Sequence, residues 1–552
     1  MVSCAPAESA NASCPTSSAG IKNEPRCDGL IWFIPGAELE TNLLPHRPCG
    51  ETEDAARDAG VKPRRLPAFR PLVPCAYLAV PMPEARVPES RRADAIGQGP
   101  SGLAGRVWRS IVRAPLAPRT DQERKWAMVQ NFVLHFRPVR VPVKTLAYTH
   151  TLGLGGMSLV LVMVLIGTGV LLMFGYEPAP GRAYDSVQAL ETVTTFGGFV
   201  RGVHHWSANA LILIAVLHLL RVFFTSGFHA PRQFNWVIGL GLLACIAASN
   251  FTGYLLPWDQ RSFWAITITT GMLSYVPLIG GWLQQVARGG PDIGRATLII
   301  FYTLHTTVVP VLILGLAALH FWRIRKARGV VVPRAPGEAH DPQPERVLGL
   351  PFLLMREFVV ALVLVAGVFT FAALVAAPLG EVANPGMSPN PAKAPWYFMG
   401  LQELLLHFHP VFAVLIVPGA AVLLLLAIPY LRYEDDPSGI WFVSNRGRLM
   451  ARRAAMAALL LTPLLIALDE WVLDASKLLP TLPGFVTVGV LPVTVLTVLA
   501  WVTWKRERAR PGATRNEMVL AGFVFGGVTF AVLTVVGVWF RVGGMALGWA
   551  GW

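Results

Sequence analysis

Residues 203–223 read VHHWSANALILIAVLHLLRVF, and residues 301–322 read FYTLHTTVVPVLILGLAALHFW. Each stretch is long and apolar enough to cross a hydrocarbon core as a helix. Each also sets two histidines deep in apolar sequence: His204 and His218 in the first, His305 and His320 in the second. At roughly 100° per residue, a fourteen-residue spacing returns to within about 40° of the same face, and a fifteen-residue spacing to within about 60°. Either spacing advances about 21–23 Å along the axis. With both helices running inward, His204 and His305 share an outer level, and His218 and His320 share an inner one. An ionisable residue inside a span is costly and usually functional. One such histidine is readily explained by a bond to a neighbouring helix; four of them, paired in depth, are not.

Four neutral imidazoles in two level pairs are the ligand set of two axially bis-histidine-ligated haems. His205 faces away from His204 and is not counted among them. The glycines carry the same period: Gly155 and Gly169 in one neighbouring span, Gly239 and Gly253 in another, are also fourteen residues apart. Small residues let a flat macrocycle or another helix approach the backbone closely. Helix packing alone explains a pair of glycines; repetition of the histidine period on two further helices favours the macrocycle. A four-helix bundle with haems along its axis follows. Arg201 and Arg221 lie just beyond the two levels, three residues from His204 and His218. Either guanidinium could pair with a haem propionate, and cytoplasmic anchoring explains Arg221 equally well.

The composition agrees with a polytopic chain. Of 552 residues, 53% are hydrophobic and only 14% charged, against roughly 25% charged in soluble domains. The net charge of +14 sits in short clusters between apolar runs, the pattern of cytoplasmic retention rather than of a nucleic-acid groove; no nucleic-acid partner is expected. Cys4, Cys14, Cys27, Cys49 and Cys75 crowd the first 75 residues and Cys245 stands alone, with no CxxC or CxxCH among them. Structural zinc, a disulfide framework and an attached c-type haem are all poor readings.

The expected fold is an all-α polytopic membrane protein of about nine transmembrane helices, near 152–174, 204–225, 236–256, 298–322, 354–377, 411–431, 454–473, 485–504 and 518–540. Basic clusters before the first span and seventh spans, and after the second, fourth and eighth, all fall on one side. That puts the N-terminus in the cytoplasm and the C-terminus outside. Residues 1–100 lack any sustained period and any charged-then-apolar signal pattern. They read as a disordered tail or as the product of a start assigned too early, with Met82 a later one. Residues 101–150 form a basic amphipathic lead-in with Trp108, Ile111, Val112 and Trp126 among arginines. The haem bundle occupies 151–325, a further part 326–473, and two additional helices 474–552. Three longer loops, 175–203, 257–297 and 378–410, face outward. The last two carry PWDQ (Pro257–Gln260) and APWYFMGLQE (Ala394–Glu403), and such loops are where a lipid-soluble substrate could meet a soluble partner.

At this point residues 130–430, with extension to about 473, resemble the cytochrome b of quinol–cytochrome c oxidoreductases, the cytochrome bc complexes. The resemblance rests on the histidine pairs, the four glycines, GYLLPWDQ (253–260) and the PWY loop. The fifteen-residue spacing and RVFFTSGFHAPR (221–232) look more like the chloroplast-type bf branch, here with its two parts fused and about two spans added. The resemblance implies a low-potential outer haem on His204 and His305 and a high-potential inner haem on His218 and His320. It implies quinol oxidation between loops 257–297 and 378–410, the first electron passing to a Rieske iron–sulfur protein and the second across the membrane to a quinone. A c-type cytochrome partner, the membrane quinone pool, a homodimer within a larger complex and a bacterial inner membrane are implied with it, as is a contribution to proton-motive force.

Two positions depart from the family pattern. Gly153 stands where the bf branch has a cysteine that tethers a third haem, so no covalent third haem is expected. Pro395 stands where the family has the glutamate of its Pro-Glu-Trp-Tyr motif. Glu403, seven residues after Trp396, is the candidate replacement as proton acceptor, with a pKa raised by an apolar pocket; the alternative is an interfacial glutamate reached by solvent. Asp259 is a weaker candidate. Tyr397 could hydrogen-bond a quinol oxygen, although Trp396 and Tyr397 equally suit an interfacial belt. Two other readings remain. The cytochrome b anchor of a hydrogenase or formate dehydrogenase also uses intramembrane histidines, generally in fewer spans. A secondary transporter would show an inverted repeat, which this sequence lacks.

Overall fold

The structure, a computed structural model, describes residues 118–549 except 131–133, 135–136, 335–337, 339–340, 342, 435–438, 473–477 and 510–511. The expectations for residues 1–100, and for Trp108, Ile111 and Val112, lie outside the described residues.

Among the described residues nine helices are long and apolar enough to cross a membrane: α1 (Leu154–Met173), α2 (Gly197–Phe224), α3 (Gln233–Tyr254), α4 (Arg295–Lys326), α5 (Gly349–Leu374), α6 (Phe412–Tyr430), α7 (Asn445–Trp471), α8 (Val486–Arg508) and α9 (Arg515–Trp539). The nine-span all-α reading therefore holds. One feature outside it is a short antiparallel ribbon, β1 (Arg140–Pro142) with β2 (Arg346–Leu348), pairing Arg140 with Leu348 and Pro142 with Arg346. Only three residues long on each side, it carries no alternation that a sequence reading could use.

Helix starts follow local chemistry. Ser444 caps α7 by accepting from the Gly447 amide, and Thr514 and Glu517 form a reciprocal capping box on α9. The helices α4, α6 and α8 each contain one wider, π-type turn, at Leu304–Val308, Phe412–Ile416 and Val486–Val490. Each is followed two residues later by a proline: Pro310, Pro418 and Pro492. Proline lacks an amide hydrogen and its ring collides with the carbonyl four residues back; one extra residue per turn relieves both.

In the bundle α1 lies along α2 and α3 along α4, while α5 covers α2. Between the two histidine levels the core is an apolar layer that includes Leu161, Leu211, Ile214, Ile246 and Ile313. The outward faces are apolar too: Val363 on α5 and Leu424 on α6 are more than two-thirds exposed, as lipid-facing side chains are. The last helix is not peripheral. It packs against α7 and against the short helix Met399–His407 that follows the PWY loop.

Candidate functional site

The wider turn in α4 contains His305. It absorbs one residue, so the fifteen-residue step to His320 presents the same face as the fourteen-residue step on α2. The structure brings His204 and His305 together with ring centres 6.1 Å apart, and His218 and His320 with centres 6.5 Å apart. Two imidazoles binding one metal from opposite sides, with bonds of about 2.0 Å, have ring centres about 6 Å apart. Two ligands are too few for a bare ion, which takes four or more; they suffice where a planar macrocycle supplies the rest.

Each of the four glycines backs one of these histidines. A Cβ added at Gly155 would stand 3.1 Å from Cε1 of His218, at Gly169 3.3 Å from that of His204, at Gly239 3.6 Å from that of His320, and at Gly253 2.5 Å from that of His305. The absent side chains are thus what lets each ring lie against its neighbouring helix. The ring nitrogens are set for metal binding. Nδ1 of His305 donates to the Ser249 carbonyl at 2.9 Å, which leaves Nε2 with its lone pair. Nδ1 of His204 lies 2.9 Å from the Thr168 hydroxyl, whose own hydrogen goes to the Val164 carbonyl, so here too the imidazole donates through Nδ1. Nδ1 of His218 is buried without a partner, and the Asn235 backbone sits beside that of His320, short of a hydrogen bond. The residues present therefore fit a haem at each level.

The outer pair opens on a cavity of about 1180 Å³; neither inner histidine reaches it. His205, set aside in the sequence, is on its wall, as are Arg201, Asp259, Trp396 and Tyr397. Trp396 donates from Nε1 to the Asn209 side chain at 2.8 Å, and that amide reaches back to His205. Burial, with Tyr254 nearby, pushes the Tyr397 hydroxyl above the ordinary phenol range, so it stays a donor at neutral pH. Asp259 accepts from the Ser262 amide at 2.9 Å and the Gly380 amide at 2.8 Å, while its backbone bridges to Val382. It caps the helix Gln260–Met272 and pins the 257–297 and 378–410 loops together.

Glu403 is placed elsewhere. It is fully buried but does not line the cavity; Arg541 holds it from Nε at 3.1 Å and from Nη2 at 2.5 Å. The raised pKa expected of it is reversed. Burial alone would raise it, but hydrogen bonds from His407 and Arg541 and their charges outweigh burial and hold the carboxyl below its usual value. The sequence reading missed Arg541, His407, Asp469 and Glu470 as a group. A signal existed in Arg541: an arginine just beyond the last span, at the end remote from the basic clusters, falls outside the anchoring pattern.

Arg201 and Arg221 differ as well. Both terminal nitrogens of Arg201 are engaged, by Glu191 and by the carbonyls of Ala377 and Pro378. Arg221 gives Nε to the His150 carbonyl, and its Nη2 is buried without a partner. Burial and the Arg221 charge hold His150 neutral, its pKa lowered to about 4. At Gly153 the backbone has φ +65°, a conformation strained for any L side chain, and Val360 stands 3.2 Å from where a Cβ would be.

Residues 141–328 match the family described as Cytochrome b/b6/petB. The cytochrome b6 of Synechococcus sp. (strain CC9902) is 42% identical over 173 residues, 31% of this chain and 79% of the relative. That of Chlamydomonas reinhardtii is 41% identical over 173 residues, 31% of this chain and 80% of the relative. Among solved structures, a chain of a hyperthermophilic respiratory Complex III superposes with a TM-score of 0.50 at 21% identity, covering 70% of this chain and 90% of that one, a likeness of fold. The chain is an integral membrane protein of redox function that belongs to the bc/b6f-type cytochrome b family, whose members bind b-type haem.

Proposed function

We propose that this chain is the membrane cytochrome b of a quinol:cytochrome c oxidoreductase and carries one non-covalent b-type haem on each histidine pair. The observation that supports this best is the shared cavity: the outer histidine pair and the Trp396–Tyr397 loop border one apolar chamber near the outer ends of the spans. Bound haems would supply one-electron acceptors at two depths. The chain's residues do the rest. His204 and His305 would hold the metal through Nε2, their rings oriented by Thr168 and Ser249. Apolar walls exclude water, Trp396 closes one side, and the Tyr397 hydroxyl can donate to a quinol oxygen. With Glu403 held by Arg541, Asp259 is the acidic residue on the described wall, and we assign it the quinol proton. In this reading a Rieske iron–sulfur protein takes the first electron at the outer face, a c-type cytochrome follows it, and the second electron crosses to the inner pair and a quinone. The complex is a homodimer-based assembly in a bacterial inner membrane, with the N-terminus cytoplasmic, the C-terminus outside, and a contribution to proton-motive force.

Reduced-minus-oxidised spectra with pyridine haemochrome quantitation on the purified protein test the haem assignment. Two b haems per chain are expected, with one lost in His204→Ala or His305→Ala and the other in His218→Ala or His320→Ala. Two haems retained in any of these variants would overturn it.

A further inference from the structure

The cavity wall contributed by Pro389–Tyr397 is an irregular loop that ends in the single 3-10 turn Trp396–Phe398, and something must hold it. Part of the support is local: the Ala394 amide donates to Oε1 of Gln402, and Nε2 of Gln402 returns to the Ala392 carbonyl, both at 2.7 Å. This ties the loop to the short helix Met399–His407. Further support comes from the far end of the chain. Nζ of Lys393 donates to the Val538 carbonyl at 2.9 Å, and the Gly544 amide to the Asn390 side chain at 2.5 Å. The short helix lies against α9 so closely that a Cβ on Gly400 would stand 2.7 Å from the Thr534 hydroxyl.

At the centre of this contact is an ionic cluster, buried at Arg541 and Glu403 and reaching solvent at Asp469. The side chains of Arg541 and Glu403 are both fully buried. Beyond Glu403, Arg541 uses Nη1 on Glu470 of α7 at 3.0 Å and on the Met545 carbonyl at 2.9 Å. His407, one helical turn after Glu403, bonds Glu403 at 3.2 Å and Asp469 at 2.6 Å. A buried pair adds little net stability over an apolar pair, but removing one member strands a charge. The elements this cluster joins are α7, the segment just after α9 and the short helix that follows the Pro389–Tyr397 loop.

We propose that Arg541 is a positioning residue for the quinol chamber: by locking Glu403 it holds the Pro389–Tyr397 wall, so the last helix and the segment after it are part of the substrate site. This rests on the quinol reading above.

The test uses the intact complex in detergent, with Arg541→Lys and, as a charge-free second variant, Gly400→Ala, which wedges the short helix away from α9. Hydrogen exchange at residues 390–407 is expected to quicken about tenfold in each, while residues 204–224 and 305–326 stay unchanged. The KM for a decyl-chain quinol, per haem, is expected to rise about fivefold with kcat altered less than about twofold. Unchanged exchange in 390–407 together with an unchanged KM in the variants overturns the proposal. If Arg541→Lys fails to assemble, Gly400→Ala decides. If the wild-type complex oxidises no quinol, the functional reading falls by itself, and the exchange rates still decide whether Arg541 holds the wall.

Discussion

In sequence the four histidine-facing glycines are equivalent; in the structure they are not, and alanine at each separates them. Carbon atoms rest comfortably about 3.5–4.0 Å apart. At Gly239 the added Cβ meets Cε1 of His320 at 3.6 Å, an ordinary contact. At Gly253 it meets His305 at 2.5 Å from Cε1, 2.9 Å from Nδ1 and 3.1 Å from Nε2, so the ring must withdraw by about 1 Å. Forcing a methyl into a packed interior costs about 1–3 kcal/mol. Withdrawal also gives up the bond from His305 to Ser249, worth about 0.5–1.5 kcal/mol. Together these correspond to an outer-haem affinity lowered by about tenfold to a thousandfold, at about 1.4 kcal/mol per tenfold. Gly239→Ala should retain both haems, while Gly253→Ala should lose the one that His305→Ala loses. Haemochrome quantitation with redox titration reads this directly. Thermal stability is the wrong assay, because alanine also favours the helix by about 1 kcal/mol. Equal haem retention in the two variants would refute the reasoning.

Two further outcomes follow from the charged groups. Arg221→Met should lower the inner haem's retention and midpoint potential, because its buried, unpartnered Nη2 is placed for an anion; Arg201→Met should do less, its terminal nitrogens being engaged already, and potentiometric titration showing equal effects would contradict this. His407 gives a pH dependence: burial alone would depress its pKa, but bonds to Asp469 and Glu403 and their charges push it up to about 9. A folded pKa above the unfolded value means the stabilisation is complete below about pH 6.5 and lost as pH rises through about 9. Exchange protection of residues 390–407 should fall across that range in the wild type and be flat in His407→Asn; a pH-independent wild type would rule it out.

Much of this molecule is legible from local pattern. A helix repeats every 3.6 residues wherever it occurs, so apolar length marks the spans, and the fourteen-residue steps at His204–His218, Gly155–Gly169 and Gly239–Gly253 can be read without neighbours. Even the odd fifteen-residue step had its cause in view, since Pro310 follows the π-type turn that resets the register. What the pattern could not carry was contact between remote residues. Glu403 looked like a base because it shared a helical face with Trp396; its partner Arg541 lies beyond four further spans. His205 was dismissed because it faces away from His204, yet that direction meets the cavity wall. Sequence alone determined the spans, the two histidine levels and the family resemblance, because periodicity belongs to a single helix. Only the tertiary structure decided which glycine presses which imidazole, which carboxylate borders the cavity and what the last helix supports, because ion pairs and packing join segments whose separation leaves no period in the chain.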